Sequence, residues 1–180
     1  YNSVHGHSTR ADDGFIPPKT MAAITELYNS VHGHSTRADD GFIPPKTMAA
    51  IAEIQEQLAG VWVLKTNENL DAYLQEIGVG FIMRKLAVAA NSTMTIAIEG
   101  EKIRISTNRP KDSQAFFTLG EEFDCKDPQD NQFKAIATWQ NGVLFTEARP
   151  VDPCLGIQHQ IERRIVDGDL EIAKPVINLH

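Results

Sequence analysis

The sequence predicts a mainly β protein, a closed antiparallel up-and-down β-barrel of about ten strands with a helix-turn-helix lid. Two observations carry this prediction. From Thr93 onward, short runs of alternating polar and apolar residues are separated by turn signals, such as Glu99-Gly100-Glu101 and Asn141-Gly142. Before them, residues 67–90 contain two short amphipathic helical segments. Many consecutive short strands must close on themselves or leave exposed edges, and a barrel removes the edges.

The predicted lid follows directly on a first strand, Val61–Lys65. Asn67 or Asn69 can cap the first helix, and Gly78 ends it as a C′ glycine does. The second helix is predicted from Phe81 to Ala90. Because two helices of about ten residues are too short to be stable alone, their apolar faces must close over the barrel.

The predicted strands leave room for a ligand. A barrel of about ten strands is too wide for its own side chains to fill, so its interior should hold a small apolar molecule. The pattern alone leaves a well-packed barrel or sandwich equally open. Together with the first strand and a weaker tenth at Val176–Leu179, the predicted strands are Thr93–Ile98, Lys102–Thr107, Ala115–Leu119, Glu122–Lys126, Phe133–Trp139, Val143–Glu147, Ile157–Ile165 and Leu170–Ala173.

Composition excludes several classes of function. The chain has 180 residues and a formal net charge of −7, and it lacks the clustered Lys and Arg of a nucleic-acid-binding face. Its two cysteines, Cys125 and Cys154, fit free thiols in a reducing compartment. We find neither a secretory signal nor a membrane span and expect a cytoplasmic protein.

Residues 1–24 and 28–51 are identical, with Thr25-Glu26-Leu27 between them. Repeats that have diverged under selection are rarely identical, and a solenoid needs three or more units, so a recent duplication or an artefact is favoured. We predict that residues 1–47 form a flexible leader, because its polar, Gly- and Pro-containing sequence lacks apolar periodicity. Residues 48–180 are predicted to form the barrel, entered through a helix within Thr47–Leu58.

No motif indicates an enzyme, a cofactor or a metal. The sequence shows no nucleophile elbow, P-loop, dinucleotide glycine pattern or zinc-helix motif. The His-Gly-His triplets His5/His7 and His32/His34 could offer imidazole ligands, but no Cys, Asp or Glu supports them at a suitable spacing. We therefore interpret both triplets as parts of a polar leader.

Arg163 is the residue on which the functional prediction rests. In the strand Ile157–Ile165 it shares one face with His159, Ile161 and the two terminal isoleucines. A guanidinium in an apolar interior costs several kcal/mol unless a carboxylate or hydrogen-bond network compensates it. A ligand carboxylate would fit its bidentate fork. Alternation alone leaves two other interpretations open, in which Arg163 extends to solvent or pairs with a nearby Glu.

The segment from residue 58 to 172 resembles the intracellular fatty-acid-binding protein family, a branch of the lipocalin-like β-barrels. The resemblance implies a cytosolic carrier that holds a long-chain fatty acid non-covalently. It is carried by Gly60, Trp62, Leu64, Glu68-Asn69, Asp71, Tyr73-Leu74, Gly78-Val79-Gly80-Phe81, Arg84-Lys85, Leu119-Gly120-Glu121-Glu122-Phe123 and Asn141-Gly142-Val143-Leu144.

The resemblance also implies site residues. In the family, an arginine at the position of Arg163 binds the ligand carboxylate, often with a second Arg and a Tyr near the C-terminus. His159 lies on the same strand face as Arg163. For each of the remaining candidates taken alone, simple packing between lid and barrel explains the residue at least as well as ligand binding does. Positions that line the cavity or its portal in the family correspond here to Tyr73, Val79, Ala87, Ala90 and Met94.

The sequence departs from the family pattern at two points. Leu70 replaces a usual aromatic residue, and the Arg-x-Tyr of the final strand is missing, since ten residues follow Leu170 where the family continues through a hairpin. Lys174-Pro175 is also expected to break the strand, because proline cannot donate to a ladder. His159 or Lys174 is the alternative partner for the carboxylate.

Three hypotheses remain from the sequence. The first is a monomeric cytosolic fatty-acid carrier, the second a carrier of a retinoid or other neutral lipid, and the third a non-carrier interaction protein. Arg84 and Lys85 on the second lid helix suggest transient membrane contact, although a solvated helix face explains them equally.

Overall fold

The computed structural model describes residues 3–11, 44–108, 112–127, 129–155 and 157–178. Within these ranges ten antiparallel strands form one sheet and two short helices cover one end, which confirms the predicted fold class. The elements are β1 (Ser3–Arg10), α1 (Pro45–Gln57), β2 (Gly60–Glu68), α2 (Leu70–Glu76), α3 (Phe81–Ala89), β3 (Thr93–Glu99), β4 (Lys102–Thr107), β5 (Ser113–Thr118), β6 (Glu122–Lys126), β7 (Gln132–Gln140), β8 (Val143–Pro150), a 3₁₀ turn (Pro153–Leu155), β9 (Ile157–Val166) and β10 (Asp169–Asn178).

The strands follow one another around the barrel in the order β5-β4-β3-β2-β1-β10-β9-β8-β7-β6. Tight turns join several of the consecutive strands, as at Asn141-Gly142, where φ is 51° and 78°. Among the described residues β5 and β6 share no ladder, so the barrel is nearly closed and opens along this one seam. None of the described helices is long and apolar enough to cross a membrane.

The base of the barrel is its best-packed part. Helix α1 lies across it and buries Ile54 fully, while the indole Nε1 of Trp62 donates to the Leu58 carbonyl at 2.8 Å. The predicted helix within Thr47–Leu58 is therefore present. We call the buried apolar side chains at this end the base cluster, which comprises Ile54, Leu58, Trp62, Ile96, Ile103, Ile105, Phe117, Ala137, Leu144 and Leu170.

The lid has the predicted helix-turn-helix form. Asn69 precedes α2 with a positive φ of 58°. Gly78 follows the end of α2 with φ of 82°, a backbone conformation that glycine adopts more readily than other residues. Helix α3 begins at Phe81, immediately after Gly80. The buried side chains Tyr73, Leu74 and Ile77, together with Leu70, Val79 and Ala87 packed against them, form the lid cluster.

The strand β1 differs from the predicted leader. Ser3–Arg10 pairs with β2 on one side and with β10 on the other, in both cases antiparallel. For these residues the expectation of a flexible leader is wrong, because the gap left between β2 and β10 offers two unpaired edges that an extended segment can satisfy. Residues 12–43 lie outside the described part of the chain, and so do His32 and His34.

The strand β10 also differs from the prediction. It runs without a break from Asp169 to Asn178 and includes Pro175, which was expected to end it. Its register with β9 is unchanged on both sides of the proline, since Ala173 pairs with Glu162 and Val176 with His159. The ladder with β9 skips Lys174 and Pro175, so the missing N–H interrupts the pairing without shifting the strand.

Candidate functional site

Three neighbouring strands, β8, β9 and β10, connect the base cluster to the lid. Their inward residues at the base are apolar, and Leu144 and Leu170 are fully buried there. Nearer the lid the same faces become polar. We call these side chains, together with Tyr73 of the lid, the interior polar cluster; its members are Tyr73, Thr146, His159, Arg163 and Lys174.

Arg163 points into the barrel as the alternation predicts. It lies opposite Leu144 on β8 and Ile172 on β10, and it is 8% exposed. Its Nη1 donates to the Thr146 Oγ1 over 3.4 Å, whereas its Nε is buried without a hydrogen-bond partner. Burial lowers the pKa of Arg163 to about 10, so the side chain is still a cation at pH 7. The guanidinium is thus charged, buried and incompletely bonded.

Lys174 is a second interior cation. It shares the inward face of β10 with Leu170 and Ile172, and its Nζ lies 6.0 Å from the ring centroid of Tyr73. Burial, with a further contribution from the charge of Arg163, lowers the pKa of Lys174 to about 8. Two like charges therefore lie close together on the same inner wall.

Tyr73 and His159 join the lid to the barrel wall. The Tyr73 hydroxyl lies 3.2 Å from His159 Nδ1, and the His159 ring packs against Phe133 with centroids 4.9 Å apart. Burial, and to a lesser degree Asp127, raises the pKa of Tyr73 to about 12. Burial lowers the pKa of His159, so the imidazole is held towards its neutral form. This pair supplies neutral hydrogen-bonding groups beside the two cations.

The described residues provide no carboxylate in an ion pair with Arg163 or Lys174. Asp127 acts electrostatically on Tyr73 and His159, but its own oxygens accept from the backbone N–H of Gln129 and Asn131 in the β6–β7 turn. The cluster therefore presents uncompensated positive charge, and it suits the head group of an anionic ligand.

The other residues predicted from the sequence lie elsewhere. Val79 and Ala87 pack in the lid cluster, and Ala90 caps the end of α3. Met94 pairs with Trp62 and packs on the base cluster. The structure thus brings Arg163, Tyr73 and His159 together, places Val79 and Ala87 in the lid cluster with Tyr73, and places Met94 near the base.

Sequence reasoning did not assign Thr146 to the site and gave Lys174 only as an alternative. Each lies on the strand face whose alternating residues are buried: Thr146 follows Leu144 by two positions, and Lys174 follows Leu170 by four. That alternation was the available signal. The strand predicted from the sequence, Leu170–Ala173, ended one residue before Lys174.

The strand β1 lies between β10 and β2. On its inward side Ser8, 2% exposed, lies opposite Leu170, and Gly6 lies opposite Ile172. Arg10 is the strand's own cation, but it lies at the base, where its guanidinium is 5.6 Å from the Trp62 ring centroid and donates to the Ala59 carbonyl.

The structure has two surface depressions. The larger, about 470 Å³, lies at the ends of β3, β4 and β5 and is bordered by Thr95, Ser106 and Gln114 and by their neighbours Thr107 and Ser113. The smaller, about 100 Å³, lies over β7 and β8 beside Lys134 and Glu147. Neither includes a member of the interior polar cluster, and the polar lining of the larger suits solvent better than an apolar ligand.

Helix α3 exposes an apolar surface. Phe81 is 65% and Ile82 is 74% exposed, and Met83, Leu86 and Val88 are exposed beside them. Lys85 is also exposed and pairs with Asp71 over 3.2 Å. Arg84 differs, because its side chain is 11% exposed and two of its nitrogens are buried without a hydrogen-bond partner. An amphipathic surface of this kind suits contact with a lipid interface.

Comparison with known proteins identifies relatives for most of the barrel. The sequence profile of the Lipocalin / cytosolic fatty-acid binding protein family matches residues 59–170. An adipocyte fatty acid-binding protein of Pygoscelis papua is 36% identical over 118 residues, which cover 65% of this chain and 86% of that protein. Fatty acid-binding protein homolog 5 of Caenorhabditis elegans is 41% identical over 115 residues, covering 63% of this chain and 74% of its own length.

Solved structures agree with the fold. The crystal structure of a fatty acid-binding protein from brain tissue of Drosophila melanogaster aligns with a TM-score of 0.54 at 26% identity. The alignment covers 64% of this chain and 96% of that one. About two thirds of the present chain therefore corresponds to almost the whole Drosophila protein.

Proposed function

The chain belongs to the Lipocalin / cytosolic fatty-acid binding protein family, and from this premise we propose that it is a cytoplasmic, non-enzymatic carrier of a long-chain fatty acid. Arg163 binds the carboxylate in this proposal, and the tail lies against the apolar inner wall. The observation that carries it is the incomplete bonding of a buried cation: Arg163 Nε has no partner, and its one described side-chain hydrogen bond is 3.4 Å long.

The energetics favour an anionic ligand over a neutral one. A charge-assisted hydrogen bond contributes about 1.5–3 kcal/mol, which corresponds to a ten- to hundredfold gain in affinity. Burial of the tail contributes about 0.8 kcal/mol per CH₂. Lys174 adds positive charge to the same space, so the carboxylate would relieve repulsion between the two cations.

Roles in this proposal differ among the predicted residues. Tyr73 and His159 border the carboxylate from the lid side, because they lie within one hydrogen-bonded pair beside the cations. Val79, Ala87 and Ala90 shape the portal through the lid, and Met94 borders the distal end near the base. Their contribution is shape and apolar contact.

The proposal is tested by titrating delipidated protein with three ligands of matched size: a fluorescent long-chain fatty acid, the corresponding fatty alcohol, and retinol. Arg163→Met should weaken fatty-acid binding about ten- to hundredfold and leave the alcohol within about twofold. Equal loss for acid and alcohol would reject Arg163 as the carboxylate partner. Tight binding of retinol with weak binding of the acid would favour the neutral-lipid carrier, and binding of none would reject the carrier function.

We also propose that α3 delivers the ligand to membranes. Its exposed residues Phe81 and Ile82 would enter the acyl boundary, and Lys85 would face anionic head groups. Arg84 is excluded from this role because its side chain is largely buried between the lid helices. The protein acts as a monomer in this proposal.

A further inference from the structure

We propose that Lys174 is a covalent attachment site for long-chain aldehydes, which it binds reversibly as an imine inside the barrel. This inference rests on the proposed function to the extent that the interior must admit an apolar chain. It concerns a different ligand class, a carbonyl compound in place of a carboxylate. It also concerns a residue that the carrier proposal does not place in direct contact with the ligand.

The position of Lys174 supports the proposal. Its side chain shares the inward face of β10 with Leu170 and Ile172, and its Nζ lies below the lid, 6.0 Å from the Tyr73 ring centroid. Below it the inner face of β10 is apolar at Ile172 and Leu170 down to the base cluster, while Arg163 lies beside Ile172 on β9. An aldehyde that enters with its chain towards the base would bring its carbonyl carbon to the lid end, where the amine lies.

The electrostatic surroundings keep the amine reactive. The groups that face it are the Arg163 cation and the His159 imidazole of β9 and the Tyr73 phenol of α2, with Asp127 acting on the last two from the β6–β7 turn. No described carboxylate forms an ion pair with Nζ. Burial and the Arg163 charge lower the pKa of Lys174 to about 8, so about a tenth of the amine is neutral at pH 7. An exposed lysine has on the order of a thousandth.

The reaction is balanced without any further reagent. The lone pair of the neutral amine attacks the aldehyde carbon and forms a C–N bond, while the carbonyl π electrons move to oxygen. A proton then passes from nitrogen to that oxygen, and the carbinolamine loses water as the C=N bond forms. Amine and aldehyde give one imine and one water, with no change in total oxidation state.

The buried position also protects the product. Imines of exposed lysines hydrolyse rapidly in water, whereas an imine below a closed lid meets little water. Release would follow lid opening, so the attachment remains reversible.

The test uses the full chain, hexadecanal and sodium cyanoborohydride at pH 7, with tryptic mass spectrometry to locate the reduced adduct. Lys174 should be alkylated at least tenfold faster than Lys65, an exposed lysine on β2. The rate at Lys174 should fall about tenfold from pH 7 to pH 6. Lys174→Arg keeps the charge and removes the nucleophile, so it should abolish the fast adduct, while Lys65→Arg should not affect it.

A parallel titration with the fluorescent fatty acid separates failure of this inference from failure of the carrier function. Fatty-acid binding with no preference for Lys174 over Lys65 would overturn the inference and leave the carrier function intact. Absence of both binding and a preferred adduct would overturn both. A fast adduct at Lys174 without fatty-acid binding would support the aldehyde site and reject the fatty acid as the ligand.

Discussion

Replacing Arg163 by methionine should make the ligand-free protein more stable while it weakens fatty-acid binding. The two side chains have similar length, so Arg163→Met removes the charge and leaves the packing nearly unchanged. A pKa lowered from 12.5 to about 10 corresponds to about 3 kcal/mol of unfavourable free energy for the buried cation. This cost applies in full at pH 7, which lies below both values.

The substitution has one opposing cost. It leaves the Thr146 hydroxyl without the guanidinium donor, which costs about 1 kcal/mol at a buried site. We therefore expect the free energy of unfolding of the delipidated protein to rise by about 2 kcal/mol. The measurement is urea denaturation followed by Trp fluorescence, and the m-value should not change because the same surface is exposed on unfolding.

Arg164→Met is the matched control. Arg164 follows Arg163 on β9 but points outward, where its Nε donates to Glu171 over 2.8 Å. Because the Glu171 carboxylate is only 11% exposed, losing this pair should destabilise the protein by about 1–3 kcal/mol, the opposite sign to Arg163→Met, and leave fatty-acid affinity unchanged. If Arg163→Met destabilised the delipidated protein instead, the guanidinium would have to be well compensated without ligand, and the argument for an anionic ligand would be refuted.

Three further predictions concern the other cation, the lid and the first strand. Because the pKa of Lys174 is lowered in the folded protein, the buried ammonium destabilises the fold fully below about pH 8, and this cost disappears as the pH rises to 10.5. The gain in the free energy of unfolding from Lys174→Met, measured by urea denaturation, should therefore shrink by up to about 3 kcal/mol over that window. A gain that does not change with pH would contradict the burial of the amine. Ile82→Ser should lower the binding of the protein to anionic vesicles about fivefold in a co-sedimentation assay. The control Ile136→Ser on the barrel wall should leave vesicle binding unchanged. Equal effects of the two substitutions would exclude a specific role for α3. With both native cysteines replaced by serine, Thr9→Cys with Val63→Cys should form a disulfide on oxidation, because these outward residues are paired across β1 and β2. The same pair made in the second copy of the repeat is its control, and a disulfide in that variant alone would show that β1 is not formed by residues 3–10.

Local sequence signals predicted most of the individual elements. The helix pair could be read from apolar spacing and from Gly78, which ends α2 with a positive φ. Seven strands from β3 to β9 could be read from alternation and turn residues such as Asn141-Gly142. These signals are local, since each depends on a few residues that constrain their own backbone angles and the face they present. Arg163 was predicted in the same way, from its place among alternating isoleucines.

The predictions failed where long-range pairing overrides local preference. Ser3–Arg10 has a polar sequence that favours no strand by itself, yet it pairs on both sides because β2 and β10 would otherwise leave unsatisfied backbone groups. Pro175 cannot donate to a ladder, but the neighbours on either side of it hold β10 in register.

The sequence by itself thus determined a β-barrel with a helical lid and an inward-facing arginine, since periodicity and turn chemistry are written residue by residue. The tertiary structure alone decided which strand lies between β2 and β10, and it placed Lys174 beside Arg163, Tyr73 and His159. The approach of Tyr73 to His159 joins residues 86 positions apart, and β1 pairs with β10 across more than 160 positions. Such contacts form because the closed sheet brings distant strands together, and no local pattern encodes them.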